Sequence, residues 1–156
     1  MGHDPLDAAY RLHADELVRF ATAMVGPDDA SDVVTDAMIE LFHGPLELDR
    51  VINVRALLFR TVHRRVIDHR RATTRRAARE LKYAGQHIIS STAPLDSESA
   101  RAALMAVTMQ QRTMVFLTYW CDMAPADVAV VVGVSEGSVR KQLARARARM
   151  RGVLGD

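Results

Sequence analysis

The stretch "GVSEGSVRKQLARARARMRG", residues 133–152, decides how this chain folds. Arginine stands at 145, 147, 149 and 151, a period of two that would ordinarily mean a strand. The residues between are Ala and Met, and Ala, Arg, Lys, Gln, Leu and Met are all good helix formers. At ~100° per residue, Val139, Leu143, Ala146 and Met150 collect on one narrow face. Arg140, Lys141, Arg145, Arg147, Arg149 and Arg151 fill the rest of the cylinder. Six cations opposed only by Glu136 point to a polyanionic partner rather than to a mixed, salt-bridged solvent face.

The preceding residues turn this helix into a motif. "PADVAVVVGVSEGSV", 125–139, opens with Pro at a first-turn position and runs an apolar helix through Val128, Ala129 and Val132 until Gly133 breaks it. Ser135 then suits the N-cap of the cationic helix. A small residue at 129 lets two helices approach, Gly133 takes the backbone angles of the turn, and Val139 fixes the second helix onto the first. The spacing predicts a helix-turn-helix, whose second helix enters the major groove N-terminus first. Ser135, Glu136, Ser138, Arg140 and Lys141 would then face base edges and phosphates, while Arg145 and Arg149 hold the backbone.

The 156 residues carry a net charge of only +2, which conceals segregation. Residues 1–50 hold eleven acidic side chains against Arg11, Arg19 and Arg50, whereas residues 51–82 hold ten basic ones against Asp68 and Glu80. Two surfaces of opposite sign follow. The single Cys121 cannot form an internal disulfide, and no apolar run is long enough to span a bilayer, so the expectation is a cytoplasmic protein without membrane insertion. "AGQHIISSTAPLDSES", 84–99, is rich in Gly, Ser, Thr and Pro and lacks helical periodicity. It reads as a flexible linker over 84–97 that ends in cap residues Asp96 and Ser97. The flanking segments have helical patterns, so the expected fold is all-α: a helical domain over 1–83 and a second over 98–156 that ends in the helix-turn-helix.

In the first domain, Leu6, Tyr10, His13, Leu17, Phe20, Ala21 and Met24 recur at helical spacing until Gly26 and Pro27, with Asp28 or Asp29 expected to cap the next helix. "DDASDVVTDAMIELF", 28–42, combines an apolar face with Asp32, Asp36 and Glu40 in a row, Thr35 and Ile39 beside them. Such a row repels itself unless it is solvated or meets a basic partner. "VRALLFRTVHRRVIDHRR", 54–71, turns Val54, Leu57, Leu58, Thr61 and Val62 inward. Arg60, Arg64 and Arg71 lie opposite, flanked by His63 and Arg70.

This order of parts resembles the extracytoplasmic-function sigma factors of bacterial RNA polymerase. The segments at 28–42 and 54–71 look like conserved region two of that family. "DMAPADVAVVVGVSEGSVRKQLARARARMR", 122–151, looks like its region four, matching most closely over GSVRKQLARARARMR. The chain departs from the family pattern at Thr35, Phe42, Leu57, Arg64 and Asp127. The resemblance implies that Asp32, Thr35, Asp36, Ile39 and Glu40 meet the clamp helices of the polymerase's largest subunit. It places Asn53, Arg55, Arg60, His63, Arg64 and Arg71 at the minus-10 promoter element, and Ser135, Glu136, Ser138, Arg140, Lys141, Arg145 and Arg149 at the minus-35 element. Core polymerase, promoter DNA and an anti-sigma protein are the implied partners. Two other readings of the residues are an autonomous helix-turn-helix regulator, which would bind a duplex palindrome as a dimer, and a sigma-like decoy that does not initiate transcription. His, Cys and carboxylates do not group at metal-ligand spacing, so neither a metal, a cofactor nor enzymatic activity is expected, and Cys121 reads as a buried structural thiol. Charge segregation also suggests that the free protein folds one lobe onto the other, hiding its DNA-binding faces.

Overall fold

The computed structural model describes residues 5–45, 53–80 and 98–155. The expected linker, with Asp96 and Ser97, lies outside the described residues. Those described form seven α-helices and no strand: α1 (Pro5–Val25), α2 (Pro27–His43), α3 (Val54–Glu80), α4 (Glu98–Met105), α5 (Met109–Tyr119), α6 (Pro125–Val132) and α7 (Glu136–Leu154). Helices α1, α2 and α3 pack pairwise into the first lobe; α7 packs on α4, α5 and α6 to form the second.

Local chemistry sets the helix ends. The α1–α2 corner turns at Gly26, whose φ of 91° suits glycine, and Pro27 follows in the first turn of α2. Gly26 itself occupies the N-cap position and offers no side-chain cap, so the expected capping by Asp28 or Asp29 is corrected: both lie inside the first turn. There their charges complement the helix dipole without capping it. Helix α5 begins in a capping box, with the Gln111 amide donating to Thr108 Oγ1 and the Thr108 amide to Gln111 Oε1, each at 3.2 Å. The Gln111 side chain then donates to Gln142 Oε1 at 3.0 Å, which ties α5 to α7.

The helix-turn-helix forms as the spacing predicts. Gly133 ends α6 in the left-handed conformation, φ 81° and ψ 34°, with its amide bonded to Ala129 O. Ser135 caps α7, its Oγ accepting from the Ser138 amide at 3.1 Å. Val139, Leu143 and Ala146 are buried and Met150 is half-buried, so the narrow apolar stripe is the inward face of α7.

Space around Gly133 and Gly152 is open, so substitution there tests backbone conformation alone. Gly133→Ala must hold an L side chain at positive φ and is expected to cost about 1–2 kcal/mol. Gly152→Ala, inside α7, is expected to stabilise by about 0.5–1 kcal/mol. Urea denaturation of both variants checks the opposite signs.

The two lobes do not stand apart. Helix α3 packs along α6, and α1 touches α5. One continuous cluster of buried side chains runs from Leu17, Phe20 and Phe59 to Phe116, Leu117 and Val128. Phe20 joins them, its ring 5.7 Å from Phe59 and 6.1 Å from Phe116. The lobes lie together through apolar packing rather than charge, and the cationic face of α7 stays exposed instead of hidden.

Candidate nucleic-acid interface

Helix α7 presents the expected cationic surface. Ser138, Arg140, Lys141, Arg145 and Arg149 are exposed, and the motif's turn sets the first of these at the helix N-terminus. Two of the candidate readers are engaged locally. The Ser135 hydroxyl oxygen is occupied by its cap, and Glu136 Oε1 accepts from Arg140 Nη2 at 2.6 Å across one helical turn. Glu136 thereby holds the Arg140 guanidinium along the helix. Arg147, further along, donates to the Tyr119 hydroxyl at 3.0 Å, a contact that spans from α7 to α5.

The acidic row of α2 is equally open. Asp32, Thr35, Asp36, Ile39 and Glu40 are all exposed, and Ile39 keeps 53% of its surface. Glu40 accepts from Arg65 Nε at 2.8 Å. Asp32 and Asp36 form no ion pair among the described residues, so two adjacent carboxylates face solvent beside an exposed apolar side chain. That combination suits a basic protein surface with an apolar contact at its centre.

The third group divides. Arg60, Arg64 and Arg71 are exposed along α3. His63, expected among the minus-10 residues, is corrected: it is 5% exposed and lies 6.4 Å from the Phe20 ring, inside the core. Its helical position, one residue beyond Val62, places it between the buried and cationic faces, and sequence periodicity alone does not choose between them. Burial pushes its pKa down to about 4, and its Nδ1 has no hydrogen-bond partner. In this arrangement the imidazole offers almost no surface to a partner.

Asn53 and Arg55 are held at the seam between the lobes. The Asn53 carboxamide donates to Asp127 Oδ1 at 3.0 Å and accepts from the Ala56 amide at 3.0 Å, so one side chain caps α3 and binds α6. Arg55 makes a two-pronged contact with Glu16, Nη2 to Oε1 at 2.6 Å and Nε to Oε2 at 3.2 Å, and Nη2 also donates to the Cys121 carbonyl. Its guanidinium carbon sits 5.6 Å from the centre of the Phe59 ring. The hydrogen bond that Arg55 donates to Glu16 raises the Arg55 pKa despite partial burial. For Glu16, burial works to raise the carboxyl, but hydrogen bonds and charge from Arg55 and His13 outweigh it, and the net shift is downward. Sequence reading missed Glu16 as this partner. No local signal marks it, because the contact joins residues 39 apart that only the packing of α1 on α3 brings together.

Cys121 is buried, and burial, then the negative charge of Glu16, pushes its thiol up to about 12. Such a thiol stays protonated and inert at neutral pH. No described helix is long and apolar enough to cross a membrane.

Comparison with known proteins accounts for both lobes. Residues 9–76 match the model of Sigma-70 region 2 and residues 97–150 that of Sigma-70, region 4. The ECF RNA polymerase sigma factor SigM of Mycobacterium tuberculosis (strain H37Rv) is 30% identical over 96% of this chain and 76% of its own length. SigL of the same organism is 28% identical over 87% of this chain and 81% of its length. Among solved structures, the sigma factor RpoE of Bartonella quintana, in complex with the anti-sigma factor NepR, superimposes with a TM-score of 0.76 at 20% identity, covering 95% of both chains. CnrH, in complex with the cytosolic domain of CnrY, gives 0.69 at 24% identity over 96% of this chain and 87% of its own. These two show the fold; the sequence relationship, spanning both lobes and the cationic helix-turn-helix, places the chain in the extracytoplasmic-function family of RNA polymerase sigma factors.

Proposed function

We propose that this sigma factor docks on core polymerase through α2 and reads promoter DNA through α3 and α7. The observation that carries the reading is the exposed, nearly unopposed cationic face of α7, set behind a glycine turn and anchored to the second lobe by Val139, Leu143 and Ala146. Ser138, Arg140 and Lys141, at its N-terminal end, reach base edges and phosphates of the minus-35 element in the major groove. Arg145 and Arg149 grip the flanking backbone. Arg60, Arg64 and Arg71 line the minus-10 path, and Asp32, Thr35, Asp36, Ile39 and Glu40 form the surface for the polymerase clamp helices. The chain acts by binding and carries out no chemistry of its own. Its site of action is the cytoplasm.

The closed arrangement bears on this function. Asn53 and Arg55, the remaining minus-10 candidates, are engaged by the second lobe, so use of both promoter elements together requires the lobes to part. Solved relatives in complex with anti-sigma proteins support a partner of that class here as well.

Run-off transcription with bacterial core polymerase on a pool of genomic promoters tests the reading. Specific transcripts are expected only when the protein is present. The Arg140→Ala, Lys141→Ala double variant is expected to lower their yield at least about tenfold, since one good base contact is worth roughly 1–3 kcal/mol. Core binding without transcripts would instead indicate a decoy, and neither core binding nor transcripts would remove the sigma-factor mechanism.

A further inference from the structure

A cavity of about 330 Å³ lies at the lobe seam, away from the α7 reading face. The first lobe supplies the α1–α2 corner and the middle of α3, and the second supplies Met105 and Arg112. The volume falls within the range of ~300–1,000 Å³ typical of small-molecule sites.

Arg112 on its wall carries a charge that no carboxylate answers. It is 6% exposed, and its Nε donates to the Leu104 carbonyl at 3.1 Å. It forms no ion pair among the described residues. Burial, followed by the charge of neighbouring Arg70, lowers its pKa from the usual arginine value. Arg70 lines the same cavity, donates through Nη1 to the Met24 carbonyl at 3.0 Å and likewise has no acidic partner. The acids nearby are Asp28 and Asp29. His69 holds Asp29 at 3.1 Å, and Asp28 pairs with neither arginine. A desolvated guanidinium beside a second one is costly unless an anion joins them.

We propose that this cavity binds a small phosphate-bearing anion between Arg112 of the second lobe and Arg70 of the first. The guanidinium fork matches phosphate oxygens in pairs, which favours this ligand class over a simple halide. The start of α2 forms another part of the wall, where Asp28 and Asp29 already answer the positive end of its dipole, so the anion's attraction comes from the two guanidinium groups. Because the two arginines belong to different lobes, the bound anion replaces their repulsion with a shared attraction and fastens the closed arrangement.

Thermal unfolding of the full chain in increasing pyrophosphate, with ionic strength held constant by chloride, tests this site. The midpoint is expected to rise saturably, by about 5–10 °C once pyrophosphate is ~100-fold above its dissociation constant. Arg70→Gln and Arg112→Met are each expected to abolish the rise, while Arg149→Gln, on the cationic helix, keeps it. Arg70 is only half-buried, so its variant remains informative should Arg112→Met fail to fold. No rise, or an equal rise in all folded variants, would overturn the proposal; the second result would mean diffuse binding to the cationic helices.

Discussion

A Phe20→Ala protein is expected to lose about 3–5 kcal/mol of stability, the cost of truncating a large aromatic in a packed core. Phe20 is fully buried, and its ring neighbours are Phe59 and His63 from α3 and Phe116 from α5. Removing it opens a cavity shared by both lobes. The loss is a large share of the ~5–15 kcal/mol that holds a domain of this kind together. Because the ring bridges the lobes, the wild type is expected to unfold in one transition and the variant to lose cooperativity between them. Urea unfolding followed by far-ultraviolet circular dichroism and by Trp120 fluorescence measures this directly. Trp120 stacks on Phe116 with ring centroids 5.6 Å apart, so its emission reports the second-lobe side of the seam. Coincident transitions with unchanged stability in the variant would contradict the role given to Phe20.

Acid is expected to weaken the fold through His63 in a defined pH window. Unfolded, the imidazole takes up a proton near its ordinary value of 6.5; folded, burial delays this to about 4. Between these values the unfolded chain binds more protons, so stability is complete above 6.5, falls as the pH drops and levels off below about 4. The shift corresponds to a loss of about 3 kcal/mol. Glu16, whose carboxyl is lowered, adds a separate loss as the pH falls through its folded value, below the usual 4.5. The His63→Leu variant separates the two: it keeps the Glu16 contribution and lacks the loss between 6.5 and 4. Guanidinium titrations at pH 7, 5.5 and 4.5 on both proteins give the difference, and parallel curves would exclude His63 as the source.

The reading face of α7 was legible because each step rests on local chemistry. A glycine at positive φ, a serine cap and an apolar stripe at helical spacing are all fixed by residues within one or two turns of each other. The acidic row of α2 was legible for the same reason, since side chains four apart on a helix share a face whatever surrounds it. His63 shows where this fails. A residue at the border of a helical stripe is assigned to solvent or core by the helix packed against it, here α1 with Phe20. The N-cap of α2 fails differently. Asp28 and Asp29 have the right chemistry, but Gly26 and Pro27 start the helix earlier, because proline preset the first-turn angles.

Short-range spacing and backbone preference alone specify α1, α2, α3, α6 and α7 with their polar and apolar faces, the helix-turn-helix and the segregation of charge. That the lobes share one core, that Asn53 and Arg55 bind across the seam, and that Arg70 and Arg112 line one cavity follow from the packing of helices far apart in the chain. Glu16 and Arg55 are 39 residues apart, and Asn53 and Asp127 are 74 apart. Contacts over such separations depend on how whole helices pack, and the apolar area buried along α3 and α6 sets that packing without any local signature in the residues it brings together.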